Sequence, residues 1–135
     1  MHRQIFVNLP VRDVARSKAF FTGLGYAFNP QFSDDKALCL VLGENLYAML
    51  LAEPFFQTFT KKPVADARAG TEVLVCLSCD SRAEVEGLVA KALAAGATAP
   101  NAPQDHGFMY GHGFEDLDGH VWELMWMDPN AAPPA

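Results

Sequence analysis

The chain has 135 residues, of which 50% are hydrophobic and 19% charged, enough to bury a core without disulfide or metal staples. Its net charge of −6, with ten basic residues scattered along the chain, excludes the concentrated basic surface that nucleic-acid binding requires. No apolar run reaches the ~18 residues of a membrane span and the opening Met1-His-Arg-Gln lacks the apolar stretch of a secretion signal, so the expectation is a cytoplasmic protein with no membrane partner.

Alternation over Gln4–Leu9 predicts a strand, closed by Pro10. Asp13 suits the N-cap of an amphipathic helix over Val14–Leu24, whose apolar stripe is Val14, Ala19, Phe20 and Leu24, and Gly25 suits its left-handed end. Strands are expected near Ala27–Phe32, Ala37–Leu42 and Leu46–Leu51, with turns at 34–36 and 43–45. A linker, about residues 53–70, carries a short helix within Pro54–Phe59; Phe55, Phe56 and Phe59 there suit packing of the linker, or else a hydrophobic lid.

The same order then recurs. Glu72–Ser78 reads as a strand, Ser81 caps a helix over Arg82–Ala95, and Gly96 ends it. Strands are expected near Thr98–Ala99, His106–Phe114 and Val121–Met127, the last two joined across Asp116-Leu-Asp-Gly119. Asp-x-Asp-Gly before a strand is turn chemistry, and His120 inside it is expected to be exposed. The tail Asn130–Ala135 is rich in Pro and Ala and expected to fray. Cys39, Cys76 and Cys79 read as reduced packing thiols, because the CxxC spacing of the last two lies on a strand and its exit, not at a helix start.

The repeat can be overlaid. Val7-Asn-Leu-Pro10 falls on Val75-Cys-Leu-Ser78, and Asn45-Leu-Tyr-Ala-Met-Leu-Leu51 falls on His120-Val-Trp-Glu-Leu-Met-Trp126. The expected architecture is one α+β domain of two βαβββ modules, about residues 4–52 and 71–128, with curved mixed sheets and helices on the outer face.

The run Phe6-Val-Asn-Leu-Pro-Val-Arg-Asp13, followed by Ser17-Lys-Ala-Phe-Phe21 and Leu24-Gly-Tyr26, resembles the opening of the vicinal oxygen chelate superfamily. Glu115-Asp-Leu-Asp-Gly-His-Val-Trp-Glu-Leu124 resembles its closing motif. This is the glyoxalase, bleomycin-resistance and extradiol-dioxygenase group, and the resemblance covers roughly residues 4 to 128. It implies paired modules whose sheets curl around a shared cleft, often in a homodimer. It does not define an activity, since the superfamily spans lyases, epimerases, dioxygenases, thiol transferases and metal-free drug binders.

In metal-dependent relatives each module supplies one ligand from its first strand and one from its last, usually His or Gln and then Glu. The overlay sets those positions on Phe6, Ala48, Leu74 and Glu123, of which only Glu123 binds cations. The cofactor expectation is therefore none, with a divalent metal held by Glu123 and atypical ligands as the alternative. Alternation sends Phe6, Asn8, Leu46, Ala48, Leu50, Leu74, Cys76, Val121, Glu123 and Met125 to the concave side. The opposite parity, including Tyr47, Met49, Trp122 and Leu124, is expected against the helices.

The expected ligand-binding residues are Phe6, Asn8, Ala48, Leu74, Cys76, Tyr110, Glu123 and Met125. The Tyr110 hydroxyl stands either at the mouth of the cleft or in the core. Glu123 serves either as general acid or base or as a structural hydrogen-bonding group. The expected partner is a small, largely apolar organic molecule held by shape. The alternatives are a metal-dependent lyase, isomerase or dioxygenase-like enzyme, and an interaction module whose cleft is filled by its own side chains.

Overall fold

Asp13 begins the first helix as its position in the sequence demands: Oδ1 accepts the Arg16 backbone N–H at 3.1 Å, an N-cap bond worth about 1 kcal/mol. The computed structural model describes residues 1–131, and residues 132–135 of the expected frayed tail lie outside the described residues. The chain divides into two units, residues 1–66 and residues 67 onward, with the boundary inside the expected linker.

In the first unit, β1 (Ile5–Val11) leads to α1 (Val14–Gly23), β2 (Ala27–Phe28), β3 (Ala37–Gly43), β4 (Leu46–Ala52) and the single turn of α2 (Glu53–Phe56), extended by a 3-10 turn at Gln57–Phe59. The sheet order is β1-β4-β3-β2, with β1 parallel to β4 and the other pairs antiparallel. Phe20, Phe21 and Leu24 are buried, as are Leu9, Val11, Leu38, Leu40 and Leu50 from the strands. Each such side chain contributes about 1.5–3 kcal/mol by leaving water.

The second unit repeats the design with β5 (Leu74–Ser78), α3 (Arg82–Ala94), β6 (Gln104–Asp105), β7 (Met109–Glu115) and β8 (Val121–Met127), in the order β5-β8-β7-β6. Here β5 and β8 are parallel. Ser81 caps α3 by accepting the Glu84 backbone N–H at 3.1 Å. Helix α3 packs on β7 and β8, and Val85, Val89 and Ala92 are buried together with Phe114, Trp122 and Leu124. The molecule is thus α+β, with two four-stranded mixed sheets and helices packed on them.

Three expected strands differ from those observed. The strand expected over Ala27–Phe32 stops at Phe28, because Asn29 caps a 3-10 turn over Pro30–Phe32 and accepts the Gln31 N–H at 3.0 Å; Pro30 in any case has no N–H for a ladder. The strand expected over His106–Phe114 begins only at Met109, as β7, because a tight turn through Gly107 at φ +78° joins it to β6, a short strand at Gln104–Asp105 that was not expected. Thr98 contributes one isolated bridge to Glu115 rather than a strand.

Candidate functional site

In paired strands, residues placed opposite each other share a face. In the second unit β5 and β8 are registered as Leu74 with Val121, Cys76 with Glu123 and Ser78 with Met125. These six side chains occupy the face opposite the buried Trp122 and Leu124, as the alternation predicts. Antiparallel β7 adds Met109, Gly111, Gly113 and Glu115 to the same face.

A pocket of about 170 Å³ opens on this face. Gly111 and Gly113, Val121, Glu123, Met125 and Cys76 line it from the strands, and Pro100, Asn101, Ala102 and Gln104 from the preceding segment. It is smaller than the roughly 300–1,000 Å³ of a drug-sized ligand site. The two glycines were missed in the sequence. Their signal was present, since Gly-x-Gly within a strand marks a place where something approaches the backbone closely. A Cβ on Gly113 would stand 2.7 Å from the Trp122 carbonyl oxygen and 3.5 Å from Cγ of Glu123, so the Glu123 side chain lies over the space that glycine leaves open.

The rim is tied down at two points. His112 Nε2 donates to the Asn101 carbonyl oxygen at 3.0 Å, and Arg82 on α3 reaches Asp105 Oδ2 at 2.6 Å. The Gly107 backbone N–H and the Arg82 guanidinium hold the Asp105 carboxyl below its ordinary range. Arg82 also pairs with Glu86 at 3.0 Å and covers the Tyr110 ring at 4.3 Å. Tyr110 is therefore a core residue: it is paired with Trp126 on the helix side, is 6% exposed and lies beneath Arg82. Its expected alternative position at the mouth of a ligand site is corrected accordingly.

The electrostatics of the face centre on Glu123. It makes no hydrogen bond or ion pair with another side chain among the described residues, and the pocket lining contains neither Lys nor Arg. Burial, and then the Glu123 charge, push the Cys76 thiol up, so it is held in the neutral form. Cys79 is pushed up to about 12 by burial and by its hydrogen bond to Glu84. Both thiols are free. With Cys76 on the open face and Cys79 beyond the strand beside α3, the CxxC spacing has none of the thiolate stabilisation that redox motifs use.

The closing turn is organised by Asp116. Its Oδ1 accepts the backbone N–H groups of Asp118 at 2.9 Å and His120 at 3.0 Å, and its Oδ2 accepts the Trp122 indole N–H at 2.9 Å. Burial raises the Asp116 carboxyl from its ordinary value, opposed by His120, the indole and the two backbone donors. His120 is 8% exposed, so the expectation of a solvated imidazole is corrected: the turn folds it inward. Asp116 and Asp118 are turn residues, as the sequence indicates.

In the first unit the registration runs Phe6 with Tyr47, Val7 with Ala48, Asn8 with Met49 and Leu9 with Leu50. The Phe6 and Tyr47 rings stack at 4.9 Å. Ala48 and Leu50, both 0% exposed, therefore share the face of Val7 and Leu9, and Ala48 does not join Phe6. This corrects the overlay by one residue: Met49, opposite Asn8, corresponds to Glu123, opposite Cys76. The overlay failed because Leu46-Tyr-Ala-Met-Leu-Leu51 is apolar at both parities, so periodicity has nothing to choose between. Asn8 Nδ2 donates to the Phe6 carbonyl oxygen at 3.3 Å.

The corrected positions test the superfamily's metal site. Phe6 and Met49 in the first unit, and Leu74 and Glu123 in the second, offer one hard donor. Among the described residues no group of three or more His, Cys, Asp or Glu is placed to hold a metal ion. The residues present do not fit the group.

Comparison with known proteins agrees with the fold. Residues 3–43 match the family model described as bleomycin resistance protein-like N-terminal. A hypothetical protein from S. aureus is 28% identical, with a TM-score of 0.78 over 93% of this chain and 95% of its own. A glyoxalase-related enzyme from Fulvimarina pelagi is 18% identical, with a TM-score of 0.78 over 100% and 96%. A genomically encoded fosfomycin resistance protein from Listeria monocytogenes is 19% identical, with a TM-score of 0.66 over 93% of each chain. No curated protein matches the chain. The chain has the two-module glyoxalase-like fold, and the resemblance to the vicinal oxygen chelate superfamily is borne out.

Proposed function

We propose that this protein binds a small, largely apolar organic molecule on the open face of its second sheet, without the divalent metal usual in its superfamily. The observation that carries the reading is Glu123 standing as the single carboxylate in a pocket lined mainly by apolar side chains such as Met109, Val121 and Met125, with two glycines, His112 and a few other polar groups. Such a lining holds a ligand by shape and contact, with a few polar groups setting its orientation. Cys76, Glu123, Met125 and Leu74 share the face and are the proposed contacts there. Phe6 and Asn8, with Met49 in place of Ala48, hold the corresponding face of the first sheet. The proposed role is sequestration of that molecule, which a lining suited to holding a ligand by shape supports. The superfamily resemblance further suggests a homodimer, and the composition a cytoplasmic setting.

The test is calorimetry and ligand-induced thermal shift against a panel of aromatic and aliphatic compounds, before and after chelator treatment, with elemental analysis of the untreated protein. Binding that survives chelation, by protein carrying no stoichiometric metal, is the expected result. Stoichiometric zinc, nickel, iron or manganese, lost together with binding, would replace this reading by the metal-dependent lyase, isomerase or dioxygenase alternative. Absence of any shift across the panel would favour a closed interaction module.

A further inference from the structure

We infer that the pocket on the second sheet selects ligands that carry a positive charge beside a flat apolar body, with Glu123 as the counter-ion. The inference rests on the binding reading above and adds the chemical class of the ligand.

Three observations converge on it. The first is charge. Glu123 is the only acidic side chain in the pocket lining, no Lys or Arg faces it, and no ion pair or hydrogen bond engages its carboxylate among the described residues. The other ionisable groups of the lining are Cys76, held as a neutral thiol, and His112, whose Nε2 is committed to the Asn101 carbonyl oxygen at 3.0 Å. Removing such a carboxylate from water under a neutral apolar ligand leaves a charge without a partner, which is costly. A ligand ammonium, amidinium or guanidinium supplies that partner and makes a charge-assisted hydrogen bond.

The second observation is shape. Gly111 and Gly113 put no side chain on the pocket face of β7, so part of the floor is bare backbone on which a planar group can lie. The third is the character of the walls. Met109 and Met125 stand on opposite strands of this floor, and thioether sulfur makes favourable contacts with aromatic rings. A ring over the two glycines, flanked by the methionines, would direct a one-carbon amine substituent toward Glu123, whose Cγ lies close over Gly113.

The experiment compares three probes that share one aromatic body: 2-naphthylmethylamine, 2-naphthylmethanol and 2-naphthoate. Each is titrated by NMR at pH 7 and low salt against the wild-type chain and Glu123→Gln, with the Gly111 and Gly113 amide resonances locating the site. The amine is expected to bind the wild type roughly tenfold or more tightly than the alcohol, the loss equivalent to one charge-assisted hydrogen bond. The naphthoate should be weakest. In Glu123→Gln the amine's advantage over the alcohol should vanish, and the amide spectrum away from the pocket, unchanged from the wild type, shows that the variant is folded. Added salt should narrow the gap between amine and alcohol in the wild type. Equal affinity for all three probes at the glycines would overturn the charge inference and leave the binding reading standing. No perturbation of Gly111 and Gly113 by any probe would overturn both.

Discussion

Replacing Asp116 by Asn tests how the closing turn is tied to the core. The carboxylate accepts from two backbone N–H groups through Oδ1 and from the Trp122 indole through Oδ2, at 2.9–3.0 Å. Asparagine can keep Oδ1 on the two backbone donors, but its amide nitrogen then points a donor at the indole N–H. Flipping the amide only transfers the conflict to the two backbone groups. Losing one buried hydrogen bond to a charged group costs about 1.5–3 kcal/mol. Part of this is returned, because the variant no longer holds a charge where burial raises the carboxyl from its ordinary value. The expected net loss is about 1–2 kcal/mol, or roughly 4–8 °C in Tm for a chain of this size.

The pH dependence has a definite sign. A carboxyl raised by folding binds its proton more tightly in the native state, so its favourable contribution is complete below the unfolded value near ~4 and fades as pH rises through the native value. Urea denaturation of the wild type and Asp116→Asn across pH 4 to 7, with Trp122→Phe and the double variant, completes a thermodynamic cycle. The gap between wild type and Asp116→Asn should be widest at the acid end. A fully stable Asp116→Asn, or single-variant losses that simply add in the double variant, would refute the carboxylate–indole tie.

Other outcomes follow from the same geometry. Gly113→Ala would bring a Cβ to 2.7 Å from the Trp122 carbonyl oxygen, so β7 and β8 must part; a loss of about 1–3 kcal/mol in urea denaturation is expected, and an unchanged midpoint would contradict the close approach. Ala48→Glu should be severely destabilising, by about 3 kcal/mol or more, because the position is 0% exposed on the helix-side face, whereas Met49→Glu on the opposite face should cost clearly less; the reverse order by thermal melting would restore the original overlay. At pH 8, Cys76 in Glu123→Gln should react with a disulfide reagent faster than in the wild type, since removing the carboxylate charge lowers a thiol it had raised, while Cys79, at about 12, stays slow in both; an equal Cys76 rate would separate the two groups electrostatically.

Much of this molecule follows from local chemistry that a sequence carries openly. Asp13 and Ser81 cap their helices with short side chains, and Gly25 and Gly96 end them at positive φ, because these effects involve only neighbours a few residues apart. Val121–Met127 was legible to the residue because large buried groups alternate there with Glu123 and other half-buried side chains, which sets both its face and its register. Leu46–Ala52 was legible as a strand but not in its facing, since apolar residues occupy both parities and only pairing with β1 decides which reach the core. Tyr110 was undecided and His120 was wrongly expected in solvent, because burial depends on how the chain folds around each ring: Arg82 over one, and for the other an Asp116 turn that folds inward. The pocket beside Glu123 belongs wholly to the tertiary level. It exists because β7 presents glycines where β8 presents a carboxylate, and cross-strand registration is a long-range property that no single segment encodes.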